Sequence, residues 1–184
     1  MDLLFTKDSS RNTTLSLPSG APVYEINTPS RCFHTETSTI RKYRPEGGYQ
    51  ADDIGVIEFH SFHTDICQIW GRDFLPKSAS MWKIASSFTS SNGQTYTWRR
   101  KSSTAVLEDK FENNVAIYDE SHTGFFSGNP RPAMLSISAD AMHIIDEVVC
   151  TFFYIEQKEQ TRRRNANSAA ASSAASSAAV AAAA

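Results

Sequence analysis

The segment Ala141 to Ile155 (AMHIIDEVVCTFFYI) is apolar around nearly its whole circumference, and it follows a chain of short strand-like runs. Ala141, Ile144, Ile145, Val148, Val149, Phe152 and Ile155 recur at spacings of three and four, the period of a helix face. Met142 and Phe153 widen that face and leave His143, Glu147, Thr151 and Tyr154 as a thin semi-polar stripe. A helix apolar on almost every side has to be enclosed, and the preceding strands are the material available to enclose it. Val148 to Tyr154 is also rich in β-formers, so a long strand is the competing reading of the same residues. Ser138 is placed to cap the helix, with Asp140 in the first turn where the dipole favours an anion. Arg162, Arg163 and Arg164 would complement its end.

Upstream, runs rich in β-branched and aromatic residues alternate with Gly, Pro, Asn and Ser clusters. They are Leu3 to Thr6, Thr13 to Leu17, Val23 to Asn27, Thr37 to Tyr43, Ile54 to Ser61 and Ile66 to Trp70, then Ala105 to Leu107, Val115 to Tyr118 and Met134 to Ile137. Between these two groups lies a hairpin. Trp82, Ile84, Ser86 and Phe88 alternate with more polar positions, Tyr96 and Trp98 do so on the return, and Asn92-Gly93 suits a type I′ turn. Ser121 to Pro132 reads as a loop. Some eleven or twelve closely spaced strands without intervening helices predict a sandwich or a barrel.

The length, 184 residues, fits one domain with a sizeable core, and a net charge of -2 gives no global pull toward nucleic acid or anionic membranes. Any such partner needs a local basic patch. The start, MDLLFTKDSS, lacks the features of a secretory signal, so Asn12-Thr13-Thr14 reads as a turn rather than a glycosylation site. Cys32, Cys67 and Cys150 form no CxxC pair and read as reduced intracellular thiols, with Cys150 in the core. No apolar run reaches the roughly 20 residues of a transmembrane helix. The expected location is intracellular, cytoplasmic or peripheral to a membrane. From Asn165 to Ala184 the chain is Ala, Ser, Asn and one Val, which reads as a low-complexity tail outside a domain of residues 1 to 164.

Several of these runs occur in an order that resembles a family. Leu4-Phe5-Thr6, Asn12 to Leu15, Tyr24 to Pro29, Thr39 to Lys42, Asp73 to Pro76, Asn92 to Trp98, Val115 to Tyr118 and Ile145 to Tyr154 are similar to a large fungal family, domain of unknown function 6593. Such sequences resemble the tubby-like superfamily in layout, which includes LURP-one-related proteins and phospholipid scramblases. The resemblance implies a mainly β fold, a closed antiparallel β-barrel of about twelve strands around a hydrophobic C-terminal helix spanning about residues 139 to 160. It favours helix over strand for the closing segment. It implies no established activity and no cofactor. Tubby proteins bind phosphoinositide headgroups through surface Lys and Arg, which at the level of the fold suggests an anionic lipid.

Four clusters could carry chemistry. Arg99, Arg100 and Lys101 leave the hairpin and Lys83 lies on its partner strand, a cluster suited to phosphate groups. Arg99 and Lys101 share one strand face and Arg100 takes the other, inward if Trp98 is inward. The same cations would serve equally as a solvated rim that discourages edge pairing. Arg41-Lys42 is a second, weaker patch. His60 and His63, with Asp65 and Cys67 nearby, are the candidates for a metal site, but extended spacing sends the two rings to opposite faces. Asp52-Asp53 and Asp119-Glu120 point opposite ways in strands, and no Ser or Cys lies in a catalytic context. Trp70, Trp82, Trp98, Tyr96 and Phe88 are expected to pack in the core rather than form a stacking platform. The expected function is a non-enzymatic binding module for an anionic headgroup or for protein partners through the Ser121–Pro132 loop or the tail, with a metal-dependent enzyme at His60 and His63 as the remote alternative.

Overall fold

A computed structural model describes residues 1–7, 9–29, 35–44, 50–60, 63–78, 85–121 and 131–182, with side chains for all but 35 and 170–182. Lys83, Trp82, Ile84, Cys32 and most of the Ser121–Pro132 loop lie outside the described residues.

The period change at Ser138 marks where strands give way to helix. A 3-10 segment, Ala139–Ile144, leads into α1, Ile145–Ala182. Ser138 is extended and makes no side-chain cap; its Oγ is buried without a partner, and its carbonyl accepts from the Ala141 N–H instead. Asp140 does occupy the first turn. The competing strand reading of 148 to 154 is excluded. Helix also continues well past residue 160. Ala pays almost no side-chain entropy in a helix, so the Ala/Ser stretch prolongs α1 rather than leaving it. The Arg162–Arg164 run therefore sits within the helix and not at its end.

Among the described residues thirteen strands precede α1: β1 Asp2–Phe5, β2 Thr13–Ser16, β3 Pro22–Asn27, β4 Thr35–Tyr43, β5 Ala51–His60, β6 Ile66–Ile69, β7 Arg72–Asp73, β8 Lys77–Ser78, β9 Ala85–Thr89, β10 Thr95–Lys101, β11 Thr104–Glu108, β12 Asn114–Asp119 and β13 Met134–Ile137. They form one antiparallel sheet in the order β7-β6-β5-β4-β3-β2-β1-β13-β12-β11-β10-β9-β8. The central pairing of β1 with β13 brings the chain's first and last strands together. The β9–β10 hairpin forms with Phe88 opposite Tyr96 and Ser86 opposite Trp98. Its turn differs from the expected type I′, because Gly93 alone takes a left-handed φ while its N–H bonds back to the Ser90 carbonyl. That is a type I turn followed by a left-handed glycine, the usual solution for a longer hairpin loop.

The sheet is open, which corrects the closed barrel expected from the sequence. Its edge strands β7 and β8 do not pair with each other. They belong to one short segment, residues 72–78, whose first half pairs with β6 and whose second half pairs with β9. Pro76 lies between the halves and has no N–H to give to either ladder.

The curled sheet surrounds α1. Phe5 from β1 and Tyr118 from β12 pack on Phe152, Phe59 from β5 stacks on Tyr154 at 5.4 Å, and Trp98 from β10 donates its indole N–H to Thr151 Oγ1 at 3.1 Å. Val148 to Tyr154 are all buried. On β5, Gly55 lets the helix come close, since a Cβ there would lie 2.8 Å from Cys150 Sγ and 3.3 Å from the Gln68 carbonyl oxygen. Gly55→Ala should cost about 1–3 kcal/mol as overpacking. Adding Cys150→Ala should recover part of that loss in a double-mutant denaturation cycle, and additive losses would contradict the close contact.

Candidate functional site

Strand alternation decides the fate of the β10 cations. Trp98 points into the core, and Arg100, two residues on, follows it with a side chain 4% exposed. There it pairs with Glu156 of α1 and with Glu120 after β12. Glu156 is itself buried; desolvation pushes its carboxyl above the usual range, against the opposing pull of the Arg100 charge and hydrogen bond. Arg100 is thus an internal clamp between sheet and helix rather than a surface ligand contact.

Arg99 and Lys101 face outward, as the parity requires. Arg99 is held by Glu108 on the neighbouring strand at 2.5 Å, a bond that raises its basicity. Lys101 is exposed and has no ion pair among the described residues. Arg41 and Lys42 lie elsewhere. Arg41 pairs with Asp53 and Glu25. Lys42 donates to Asp146 Oδ1 at 2.7 Å and lies 5.6 Å from the Tyr24 ring centre.

The topology puts these two patches at opposite ends. Lys42 meets Asp146 where the chain enters the sheet as helix. Lys101 precedes the Ser102–Ser103 turn, whose Ser102 carbonyl accepts from Arg163 at 3.2 Å where α1 leaves the sheet. Arg163 also pairs with Glu120 and Glu159, and Arg162 with Glu159. Arg164 is exposed. The exit end therefore gathers Lys101, Arg162, Arg163 and Arg164 around the partly exposed Glu120 and the buried Glu159. Sequence reading placed the arginines at a helix terminus and missed this grouping. The signal was present, since Arg163 is seven residues after Glu156 and so shares its helix face.

At the entry end Asp146 is a hub. Its Oδ1 accepts from Tyr24 Oη at 2.6 Å as well as from Lys42, and its Oδ2 accepts from the Trp70 indole at 3.1 Å. Burial first, then the Asp146 charge, pushes the Tyr24 hydroxyl far above its ordinary range, so it stays a donor. Trp70 departs from the expected core placement: it is 58% exposed, whereas Trp98, Tyr96 and Phe88 are buried.

The histidines come closer than extended spacing allows, with ring centres 6.3 Å apart. His60 Nε2 lies 3.2 Å from Glu58. Asp65 is already engaged by the His60 N–H, the Tyr154 hydroxyl and Lys158. Burial pushes the Cys67 thiol up to about 12, which keeps it protonated and a poor metal ligand. Among the described residues no three His, Cys, Asp or Glu side chains are grouped to hold a metal ion.

A family model matches residues 8–161. The chain belongs to a family of unknown function, DUF6593. The matched region runs from before β2 into α1; β1 precedes it, and it ends two residues before Arg163. Searches of curated proteins and of solved structures found no match. Among the described residues no helix is long and apolar enough to cross a membrane.

Proposed function

We propose that this DUF6593 domain is a non-enzymatic binding module that recognises phosphate-bearing anions at the exit end of its sheet. The observation that carries this reading is the hydrogen bond from Arg163 to the Ser102 carbonyl, which draws the helix arginines beside Lys101. Arginine forks suit phosphate oxygens, and Arg162 and Arg163 retain 63% and 45% side-chain exposure despite their ion pairs. A mainly β sheet curled around an apolar C-terminal helix also supports the tubby-like reading of the fold, in which surface cations serve anionic headgroups.

Lipid headgroups and soluble phosphates share this chemistry, so the test carries both. Co-sedimentation with phosphatidylcholine vesicles containing a phosphoinositide should be strong in low salt and fall as salt screens the contact. Inositol hexakisphosphate would compete at either source, and binding to it without vesicle binding would assign the soluble one. Lys101→Glu with Arg164→Glu should weaken binding about tenfold or more, at roughly 1 kcal/mol per charge near the surface. Binding indifferent to those reversals and to salt would refute the reading.

A second reading, a protein-interaction scaffold, is favoured by the reach of α1. Residues 165 to 182 extend it by roughly 27 Å, at about 1.5 Å per residue. Deleting residues 165–184 would abolish a partner held there and leave anion binding intact.

A further inference from the structure

Among the described residues five large apolar side chains remain exposed: Met1, Trp70, Phe111, Ile117 and Met142. All but Ile117 lie at the entry end. Met1 exchanges backbone hydrogen bonds with Ile137, immediately before the 3-10 segment that carries Met142. Phe111 tips the turn leading into β12, where the Val115 carbonyl accepts from Ser138. Trp70 is bonded to Asp146 in the first turn of α1.

Trp70 is the least accounted for by folding. With Gly71 it makes the two-residue loop between Ile69 and Arg72, and its φ is 51°. Left-handed backbone costs a bulky L-residue about 1–2 kcal/mol, and Asn or Gly would fill the position more cheaply. The indole N–H is fixed on Asp146 while most of the ring faces solvent. Neither turn preference nor core packing calls for tryptophan here.

Three of these four tips also have an exposed carboxylate beside them. Asp2 follows Met1, Glu112 follows Phe111, and Asp140 precedes Met142 by two residues; all three are exposed. Asp2 and Asp140 make no ion pair among the described residues. The Phe111 ring already attracts a cation, with Lys110 Nζ 4.8 Å from its centre. We infer that the entry end is a protein-docking surface for a segment that combines apolar or aromatic side chains with Lys or Arg. Such a segment would bury the tips, place its cations on the carboxylates and use the Trp70 face for cation–π contact. A bilayer would bring those carboxylates to its headgroup layer.

The test uses the full chain and a phage library of random dodecapeptides. Enriched peptides should contain Lys or Arg together with Trp, Phe or Leu. Their binding should drop at least tenfold with Phe111→Ser and with Trp70→Asn, a change that suits the turn. Asp2→Asn with Asp140→Asn should weaken it by a similar factor, whereas Lys101→Glu at the other end should not. Absence of enrichment, peptides without cations, or binding equal in wild type and variants would overturn the inference. Phosphatidylcholine vesicle binding lost in Trp70→Asn would assign the rim to lipid and overturn it as well.

Discussion

Val149→Asp should abolish the cooperative thermal transition and the near-ultraviolet circular dichroism of the folded protein. Val149 is fully buried in the stretch of α1 that the sheet surrounds. Its neighbours there, Val148, Cys150, Phe152 and Phe153, supply no cation to pair a carboxylate. A carboxyl in such a place costs several kcal/mol even after it takes up a proton and becomes neutral, against a total stability of roughly 5–15 kcal/mol for a domain. Val149→Thr is the informative control. Its hydroxyl can bond to a preceding helix carbonyl, as Thr151 Oγ1 does to the Glu147 carbonyl at 2.7 Å, so it should melt at a lower temperature but cooperatively. Ala166→Asp, on the exposed part of the helix, should leave the melt nearly unchanged. A Val149→Asp protein with a wild-type melt would mean that the helix is not enclosed.

How much of this was legible follows from which interactions are local. The 3–4 spacing from Ala141 to Ile155 pointed to the helix but left a strand open, because Val148 to Tyr154 is also rich in β-formers. Parity from Trp98 to Arg100 correctly made the inward placement of Arg100 conditional on that of Trp98. It said nothing of Glu156 or Glu120, since these partners are 56 and 20 residues away in sequence. Trp70 was read into a strand because Ile66 to Trp70 continues the β-rich run, although Gly71 is a turn residue and could have signalled the loop. Strand number left sandwich and barrel open, and closure was an expectation from the family resemblance alone. Closure depends on the edges, and here the edges are the two halves of residues 72–78 around Pro76. Charges on β4 and β10 looked like two patches of one kind, and only the direction in which each strand runs separates them to opposite ends.

Replacing Arg100 by leucine should be among the most damaging changes to the polar part of the interior, and its effect should depend on pH. Arg100 closes a pair with Glu156 in which both side chains are about 95% inaccessible, at 4% and 5% exposure. Removing one member of a buried pair strands the other, a loss of about 3–5 kcal/mol. Glu156 then keeps its desolvation, the first cause of its raised carboxyl, and loses the Arg100 charge and hydrogen bond that oppose it. Its folded-state pKa should rise further above the unfolded value. A raised acid binds more protons folded than unfolded, so its contribution favours folding below the unfolded pKa and is lost as pH rises through the folded one. Arg100→Leu should accordingly sit closest to wild type in mildly acidic buffer and fall away toward neutral pH in urea titrations. Adding Glu156→Leu should restore much of the stability at neutral pH and remove that pH dependence, because two apolar partners leave no stranded charge. A deficit in Arg100→Leu that is constant with pH, or a double variant no more stable than the single, would show that the clamp does not operate through Glu156.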